Sequence, residues 1–179
     1  MSFPSQGRGS GGGGGTPSGN SGKAMRLLLG EDMIVNQDEF KKVEFDQIPF
    51  NDGFTWNAEL DVEAQEAGTV LITASIGAIV PVGMENQLTV GCLLFKNGQP
   101  MRQNSKTKLV GPYCIAEVCA IDKCVVEDKY TLYVTILGGD ELTATITSDN
   151  GVTALDIAYL LESKWKKNPK PVVQVFTIQ

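Results

Sequence analysis

The sequence predicts an all-β protein, an antiparallel sandwich of the jelly-roll type preceded by a disordered glycine-rich arm. Three features predict this architecture: apolar and polar residues alternate over several short segments, turn-forming residues separate those segments, and a glycine-rich run precedes them. A period of two places successive side chains on opposite faces of a strand. Short strands separated by frequent turn signals are typical of sandwiches rather than of alternating strands and helices.

The first element is a low-complexity arm, residues 1–23, which reads MSFPSQGRGSGGGGGTPSGNSGK. Glycine loses more conformational freedom on ordering than any other residue, so this run forms no packed element by itself. One interpretation is a disordered tail. The other is an arm that orders only on a neighbouring subunit or assembly, and its anchoring groups are then Phe3, Pro4 and Arg8.

The sandwich itself is predicted over residues 24–161, with the alternation strongest from Phe54 onward. Four segments alternate, and we expect one face of each to point into the core. The inward residues are Val70, Ile72, Ala74 and Ile76, then Leu88, Val90, Cys92 and Leu94, then Tyr130, Leu132, Val134 and Ile136, then Leu142, Ala144 and Ile146. The dipeptide Asn97-Gly98 is a strong hairpin signal between two such segments.

The end of the domain allows two interpretations. Residues 152–167 alternate as a strand, but they also have helical propensity and end at Asn168-Pro169. We favour a strand through Leu161, followed by a C-terminal tail, residues 162–179, whose last strand covers residues 172–178.

Composition argues against several functional classes. The formal net charge is −6, and nucleic-acid binding needs clustered basic residues, so a nucleic-acid partner is not expected. No apolar run resembles a secretory signal or approaches the roughly 20 residues that span a bilayer, so neither export nor a membrane partner is expected.

The sequence favours a structural or binding role over catalysis. It contains no histidine, which removes histidine-based nucleophilic catalysis and imidazole metal sites. We expect the four cysteines to be structural thiols, with Cys114 and Cys119 on opposite faces of one strand. The acids Glu59 and Asp61 share a strand face, but nothing in the sequence places a cleft around them. We therefore expect no enzyme activity, catalytic residue, metal or cofactor.

Aromatic residues outside the core segments are candidate contact sites. Phe54, Trp56 and Trp165 are possible ligand or surface contacts. Trp165 lies among lysines at residues 164–170, and this tail either contacts an anionic surface, forms a solvated connector, or pairs with the acidic residues 31–66 of an adjacent subunit.

From about residue 50 to 161 the layout resembles the TNF/C1q-like jelly roll. The matching features are the aromatic entry at Phe54 and Trp56, the strand that runs into Asn97-Gly98, the acidic turn at Glu127-Asp128, and the closing segment at residues 153–161. The family often has Gly-Asp where this chain has Glu127-Asp128.

The resemblance implies a homotrimer packed around a three-fold axis. For that assembly the expected interface residues are the arm anchors together with Tyr113, Tyr130, Tyr133 and Tyr159. Jelly rolls with glycine-rich arms are similar to bacteriophage capsid-decoration and head-fibre proteins. The leading hypothesis is therefore a virion protein, made in the host cytoplasm and attached to other capsid proteins through its arm. The alternatives are a ligand- or carbohydrate-binding C1q-like module and a self-assembling coat protein.

Overall fold

A computed structural model describes residues 22–57, 61–80, 83, 88–106, 109–110, 113–138 and 142–160, without the side chains of residues 104–106, 109–110 and 113. The described chain consists of β-strands and one short 3₁₀ turn, which confirms the predicted all-β class. The strands are β1 Ala24–Leu28, β2 Met33–Asn36, β3 Phe40–Lys42, β4 Gln47–Asn51, β5 Phe54–Trp56, β6 Val62–Ala64, β7 Gly68–Ile79, β8 Leu88–Lys96, β9 Gln99–Lys106, β10 Leu109–Val110, β11 Tyr113–Cys124, β12 Lys129–Gly138, β13 Thr143–Ile146 and β14 Ala154–Tyr159.

These strands form two antiparallel sheets that pack as a jelly-roll sandwich. The eight-stranded sheet has the order β10-β11-β7-β14-β1-β4, with β13 paired to β7 and to β2. The six-stranded sheet has the order β5-β6-β12-β8-β9, with β3 paired to β12. Neighbours in each sheet are mostly distant in sequence, so the fold depends on long-range pairing.

The predicted core is confirmed in all four alternating segments. Their inward residues are each less than 10% exposed and fill the space between the sheets. Burying an aliphatic side chain of this kind stabilises a fold by about 1.5–3 kcal/mol relative to leaving it exposed. Tyr130 is among the largest fully buried side chains.

Four strands precede the segment in which the sequence signal is strongest. β1 to β4 are only three to five residues long and lie among the acidic residues of the N-terminal third. Their inward residues still alternate: Met25, Leu27 and Leu29 in and after β1, and Met33 and Val35 in β2, are all buried. The core therefore begins at the first residues of the domain.

The Asn97-Gly98 hairpin is confirmed. β8 pairs with β9 through Lys96 and Gln99, which leaves Asn97 and Gly98 as the two loop residues. Their φ values are +50° and +74°, as a type I′ turn requires at both central positions. The Asn97 side chain also accepts a hydrogen bond from the Lys129 amide at 2.8 Å, which ties the hairpin to β12.

The closing segment is a strand, as favoured by the sequence. β14 lies between β7 and β1 in the sheet, and a 3₁₀ turn at Asp149–Gly151 leads into it. No helix in the described ranges is long and apolar enough to cross a bilayer. The predicted strand at residues 172–178 lies outside the described residues.

Candidate functional site: the outward face of the eight-stranded sheet

The eight-stranded sheet has one face toward the core and one face away from it, which we call the outward face. Its strands β11, β7, β14, β1 and β4 lie side by side, so side chains from five segments form continuous rows across the sheet. Successive residues of a strand alternate between the faces. The residues between the buried positions of these strands therefore make up the outward face.

The central row crosses all five strands. Backbone pairing aligns Cys119 with Thr73, Thr73 with Asp156, Asp156 with Arg26, and Arg26 with Phe50. Arg26 and Asp156 form an ion pair with 3.6 Å between nitrogen and oxygen. Phe50, at the edge of the sheet, is 50% exposed. One charged pair is thus flanked by small and aromatic groups.

An apolar row runs beside the central one. It aligns Ile121, Leu71, Ala158 and Ala24, and the Ile121 residue is 68% exposed. The row on the other side is more polar, and it aligns Glu117, Ser75, Ala154, Leu28 and Gln47. The outward face therefore changes from apolar to polar along the strand direction.

Two shallow depressions interrupt this face, and both are lined by Thr73 and Asp156. One, of about 460 Å³, lies toward Glu117 and Cys119. The other, of about 330 Å³, is more apolar and lies toward Phe50. Thr73 and Asp156 therefore lie between the two depressions.

The environment of Asp156 already disfavours its charge in a single chain. Partial burial in the sheet face raises the pKa of this carboxyl, and the positive charge of Arg26 opposes the rise without cancelling it. Covering the face would remove further water from the pair. Asp156 is therefore a charged group in a surface that is otherwise suited to burial.

The cysteines follow the predicted alternation. Cys114 is buried and Cys119, five residues later in β11, is exposed on the outward face. Burial raises the pKa of Cys92 to about 12, with a smaller contribution from the negative charge of Glu117. Within the described ranges, no three cysteine or acidic residues form a group suited to a metal ion.

The predicted tyrosine contacts are distributed over the whole sandwich. Tyr130 is fully buried and donates a hydrogen bond to Asp122 at 2.6 Å, so its predicted role at a subunit contact is corrected. Tyr133 packs on Phe95 in the six-stranded sheet, with 4.7 Å between ring centroids. Tyr113 is the first residue of β11, and its backbone pairs with Ile79 of β7. Its side chain is not among those that the structure describes.

Tyr159 is half-buried at the end of β14. Its ring stacks on Phe54 with 4.6 Å between centroids, and its hydroxyl donates to the Glu66 carbonyl at 2.9 Å. Phe54 itself is only 4% exposed, which corrects the expectation that it is an exposed contact residue. The remaining predicted site residues lie outside the described ranges: Phe3, Pro4, Arg8 and Trp165.

Trp56 is half-buried beside a second surface feature, which we call the acidic groove. This cavity of about 350 Å³ is lined by four carboxylates and four apolar or aromatic residues. The lining residues are Glu31, Asp32, Glu44 and Asp46 together with Leu29, Met33, Phe45 and Trp56. All four carboxylates lie in the connections between β1 and β2 and between β3 and β4, where the sequence indicated only a dispersed acidic region.

Sequence reasoning missed the residues that make up the outward face. Arg26, Phe50, Leu71, Thr73 and Asp156 belong to four different strands, and only the pairing of those strands aligns them. The sequence could have shown that several of these residues face outward, because they alternate along their strands with the predicted buried positions. Their alignment into rows depends on strand order, which local patterning does not determine.

Comparison with known proteins identifies the fold. No protein-family model and no curated protein sequence matches the chain. Among solved structures, Eiger TNF from S. frugiperda matches with a TM-score of 0.56 at 12% identity, covering 82% of this chain and 98% of that one. Murine APRIL matches with a TM-score of 0.56 at 13% identity, covering 78% of this chain and 99% of its own. The predicted TNF/C1q-like jelly roll is confirmed, and at this identity the likeness concerns the fold alone.

Proposed function

We propose that this protein is a non-catalytic, homotrimeric structural module of a virus particle, a bacteriophage capsid-decoration or head-fibre protein held in place by its N-terminal arm. The outward face of the eight-stranded sheet is the observation that supports the trimer. In a single chain this face leaves Ile121 and Phe50 at least half exposed beside Leu71. A second and third copy would cover it.

The argument for self-association is hydrophobic. Each square ångström of apolar surface removed from water contributes about 25 cal/mol. A protein that exposes a contiguous apolar patch usually covers it with a partner. The outward face combines such a patch with depressions for protruding side chains, and the TNF/C1q-like resemblance implies three-fold packing as the way to cover it.

The viral setting is supported by the sequence. A glycine-rich segment precedes the jelly roll, an arrangement similar to that of capsid-decoration and head-fibre proteins. A segment of this composition orders only when a partner supplies the contacts, which suits an anchoring arm. The acidic net charge of −6 suits a protein that contacts other proteins rather than the genome.

The ligand-binding alternative receives less support. It requires exposed aromatic side chains on loops, and the described candidates are Phe54 and Trp56. Phe54 is buried under Tyr159, and Trp56 is half-buried beside the acidic groove. Phe54 therefore has no free face for a sugar ring, and Trp56 is only partly exposed.

The first test is the solution mass of the purified protein by light scattering, with and without residues 1–21. The deletion ends before Lys23, because the Lys23 carbonyl accepts a hydrogen bond from the Tyr159 amide at 2.8 Å. We expect a trimer in both forms, since the contact surface belongs to the sandwich. A monomer in both forms would overturn the trimeric model.

The second test addresses the virion. Purified particles of the source virus should contain the protein in stoichiometric amounts by mass spectrometry. The form without residues 1–21 should fail to bind particles that lack the protein, while the full chain binds them. Absence from purified particles would overturn the viral role and leave the trimer to be judged on its own evidence.

A further inference from the structure

The acidic groove is a concentration of unneutralised charge. Its four carboxylates belong to Glu31, Asp32, Glu44 and Asp46, and no lysine or arginine in the described part of the chain forms an ion pair with any of them. Like charges placed close together repel one another, and this repulsion destabilises a surface that lacks a cationic partner. The groove is therefore complementary to a positively charged segment.

Two of these carboxylates have structural contacts and two are available. The Ser148 amide and hydroxyl donate to Asp32, which lowers the pKa of this carboxyl and keeps it ionised. Asp46 accepts from the Gly30 amide. Glu31 and Glu44 are exposed and form no hydrogen bond or ion pair with a described residue.

The groove also has an apolar side. Leu29, Met33 and Phe45 line it together with Trp56, whose indole Nε1 is buried without a hydrogen-bond partner among the described residues. A buried donor without an acceptor costs about 1–3 kcal/mol. An occupant that supplies cationic groups on apolar stems would match the carboxylates and the apolar residues of this lining.

The chain itself contains one segment with that chemistry. Residues 164–170 read KWKKNPK, with four lysines and one tryptophan, and the whole tail from residue 162 has a single acid, Glu162. Lysine stems cover apolar surface while their ammonium groups pair with carboxylates. The tail therefore carries the positive charge that the groove lacks, together with an aromatic group that can pack on its apolar side.

The groove is within reach of this segment in the same chain. The Leu29 amide donates to the Thr153 carbonyl at 3.2 Å, which places the groove near the start of β14. The described chain ends at Leu160, seven residues or about 23 Å along the strand direction from Thr153. The seven residues from Leu160 to Lys167 span at most about 25 Å when fully extended, so Lys167 and Lys170 can reach the groove.

We propose that the acidic groove is the docking site of the chain's own basic segment, residues 164–170, whose lysines pair with the groove carboxylates. This assignment does not depend on the trimer, because donor and acceptor belong to one chain. It also withdraws the lysines from any nucleic-acid contact.

Carbodiimide cross-linking of the full-length protein tests the proposal, because this reagent joins a lysine to a carboxylate only where the two are in contact. We expect mass spectrometry to find Lys167 and Lys170 joined to Glu31 and Glu44, in product that runs as a single chain on a denaturing gel. Links confined to carboxylates outside the groove, or groove links found only between two chains, would overturn the proposal.

Fluorescence of Trp56 gives a second, non-covalent readout. In a full-length Trp165→Phe variant, Trp56 is the single tryptophan, and acrylamide, a neutral quencher, reports how well the tail shields it. Raising ionic strength from 0.01 M to 1 M shortens the Debye length from about 30 Å to about 3 Å, so we expect quenching to increase as the tail is released. Quenching that is independent of salt would contradict docking.

Matched charge variants in this background separate the groove from general electrostatics. Glu31→Gln with Glu44→Gln should show high quenching already at low salt, because the lysines lose their free partners. Glu63→Gln with Glu127→Gln removes the same charge outside the groove and should behave as the parent does. Equal responses from both pairs would overturn the assignment.

Discussion

Asp128 joins the turn between β11 and β12 to the neighbouring hairpin. Its carboxylate accepts hydrogen bonds from the Val125 amide at 2.8 Å and from the Asn97 side chain at 2.7 Å, and it pairs with Lys96 at 2.8 Å. Burial by itself would raise the pKa of Asp128, but Lys96, Val125 and Asn97 outweigh burial and lower it. The ionised carboxylate therefore stabilises the fold.

Replacing this carboxylate should weaken the protein in a pH-dependent way. Because the pKa of Asp128 in the folded state lies below its unfolded value of 3.8, its contribution is complete above that value and is lost as pH falls through the folded pKa. We expect Asp128→Asn to cost about 1.5–3 kcal/mol at pH 7, the range for hydrogen bonds to charged groups, and less at pH 3. Urea unfolding at both pH values measures this, and an equal loss at both would contradict the assignment.

Asp156 should change the stability of the fold with pH in the opposite direction from Asp128. Burial raises the pKa of this carboxyl above 3.8 despite Arg26, so its ionisation opposes folding of the single chain, and stability increases as pH falls through the raised pKa. We expect Asp156→Asn to be neutral or stabilising at pH 7 in the same urea assay. A loss at pH 7 larger than at pH 3 would show that the ion pair with Arg26 outweighs burial.

Glu127 occupies a backbone conformation that favours glycine. Its φ is +73°, where a side chain is strained. We expect Glu127→Gly to stabilise the protein by about 0.5–1 kcal/mol, because relief of the strain exceeds the added entropy of the unfolded chain. Glu127→Ala, which removes the charge but keeps the strain, is the control and should be near neutral.

At the scale of elements, strand length decided what the sequence could predict. β7, β8 and β12 have 12, 9 and 10 residues, which is long enough for several alternations, and their inward faces were predicted correctly. The Asn97-Gly98 turn was predicted because its chemistry is local. β2 and β3 have four and three residues, so their alternation is too short to stand out among the acidic residues.

The early strands should nevertheless contribute fully to the core. Leu27 in β1 is 1% exposed, whereas Ile34 in β2 is 62% exposed. We expect Leu27→Ala to cost about 2–5 kcal/mol through lost burial and a residual cavity. Ile34→Ala, a matched truncation at an exposed position, should stay within about 0.5 kcal/mol. Chemical unfolding measures both changes in stability. A loss for Leu27→Ala as small as that for Ile34→Ala would show that β1 is not part of the core.

At the scale of the whole molecule, the candidate sites arise from pairing that local patterns do not encode. Asp156 meets Arg26 and Thr73 because β14 inserts between β1 and β7. Strands distant in sequence form these rows, so a one-residue change of register would move every side chain to the other face. The acidic groove depends on long-range pairing in the same way, since Leu29 is held next to Thr153.

Subunit association gives the last prediction. Leu71 lies in the apolar row of the outward face, beside Ile121 and Ala158. A carboxylate at Leu71 would be buried in the proposed trimer close to Asp156, and an unpaired buried charge costs several kcal/mol. We therefore expect Leu71→Glu to yield folded monomers by light scattering, while Val126→Glu, at a residue 53% exposed in the turn before β12, leaves the trimer intact.

Thermal unfolding and the reactivity of Cys119 each report the loss of the trimer independently of light scattering. A trimer gains stability by mass action, so its melting temperature should rise with protein concentration, whereas that of Leu71→Glu should not. Cys119 lies on the outward face, and the subunit contact should shield it from thiol reagents until Leu71→Glu exposes it. If Cys119 reacts equally fast in both proteins while both remain trimeric, the subunits associate through a different surface, and the outward face stays free for a partner in the particle.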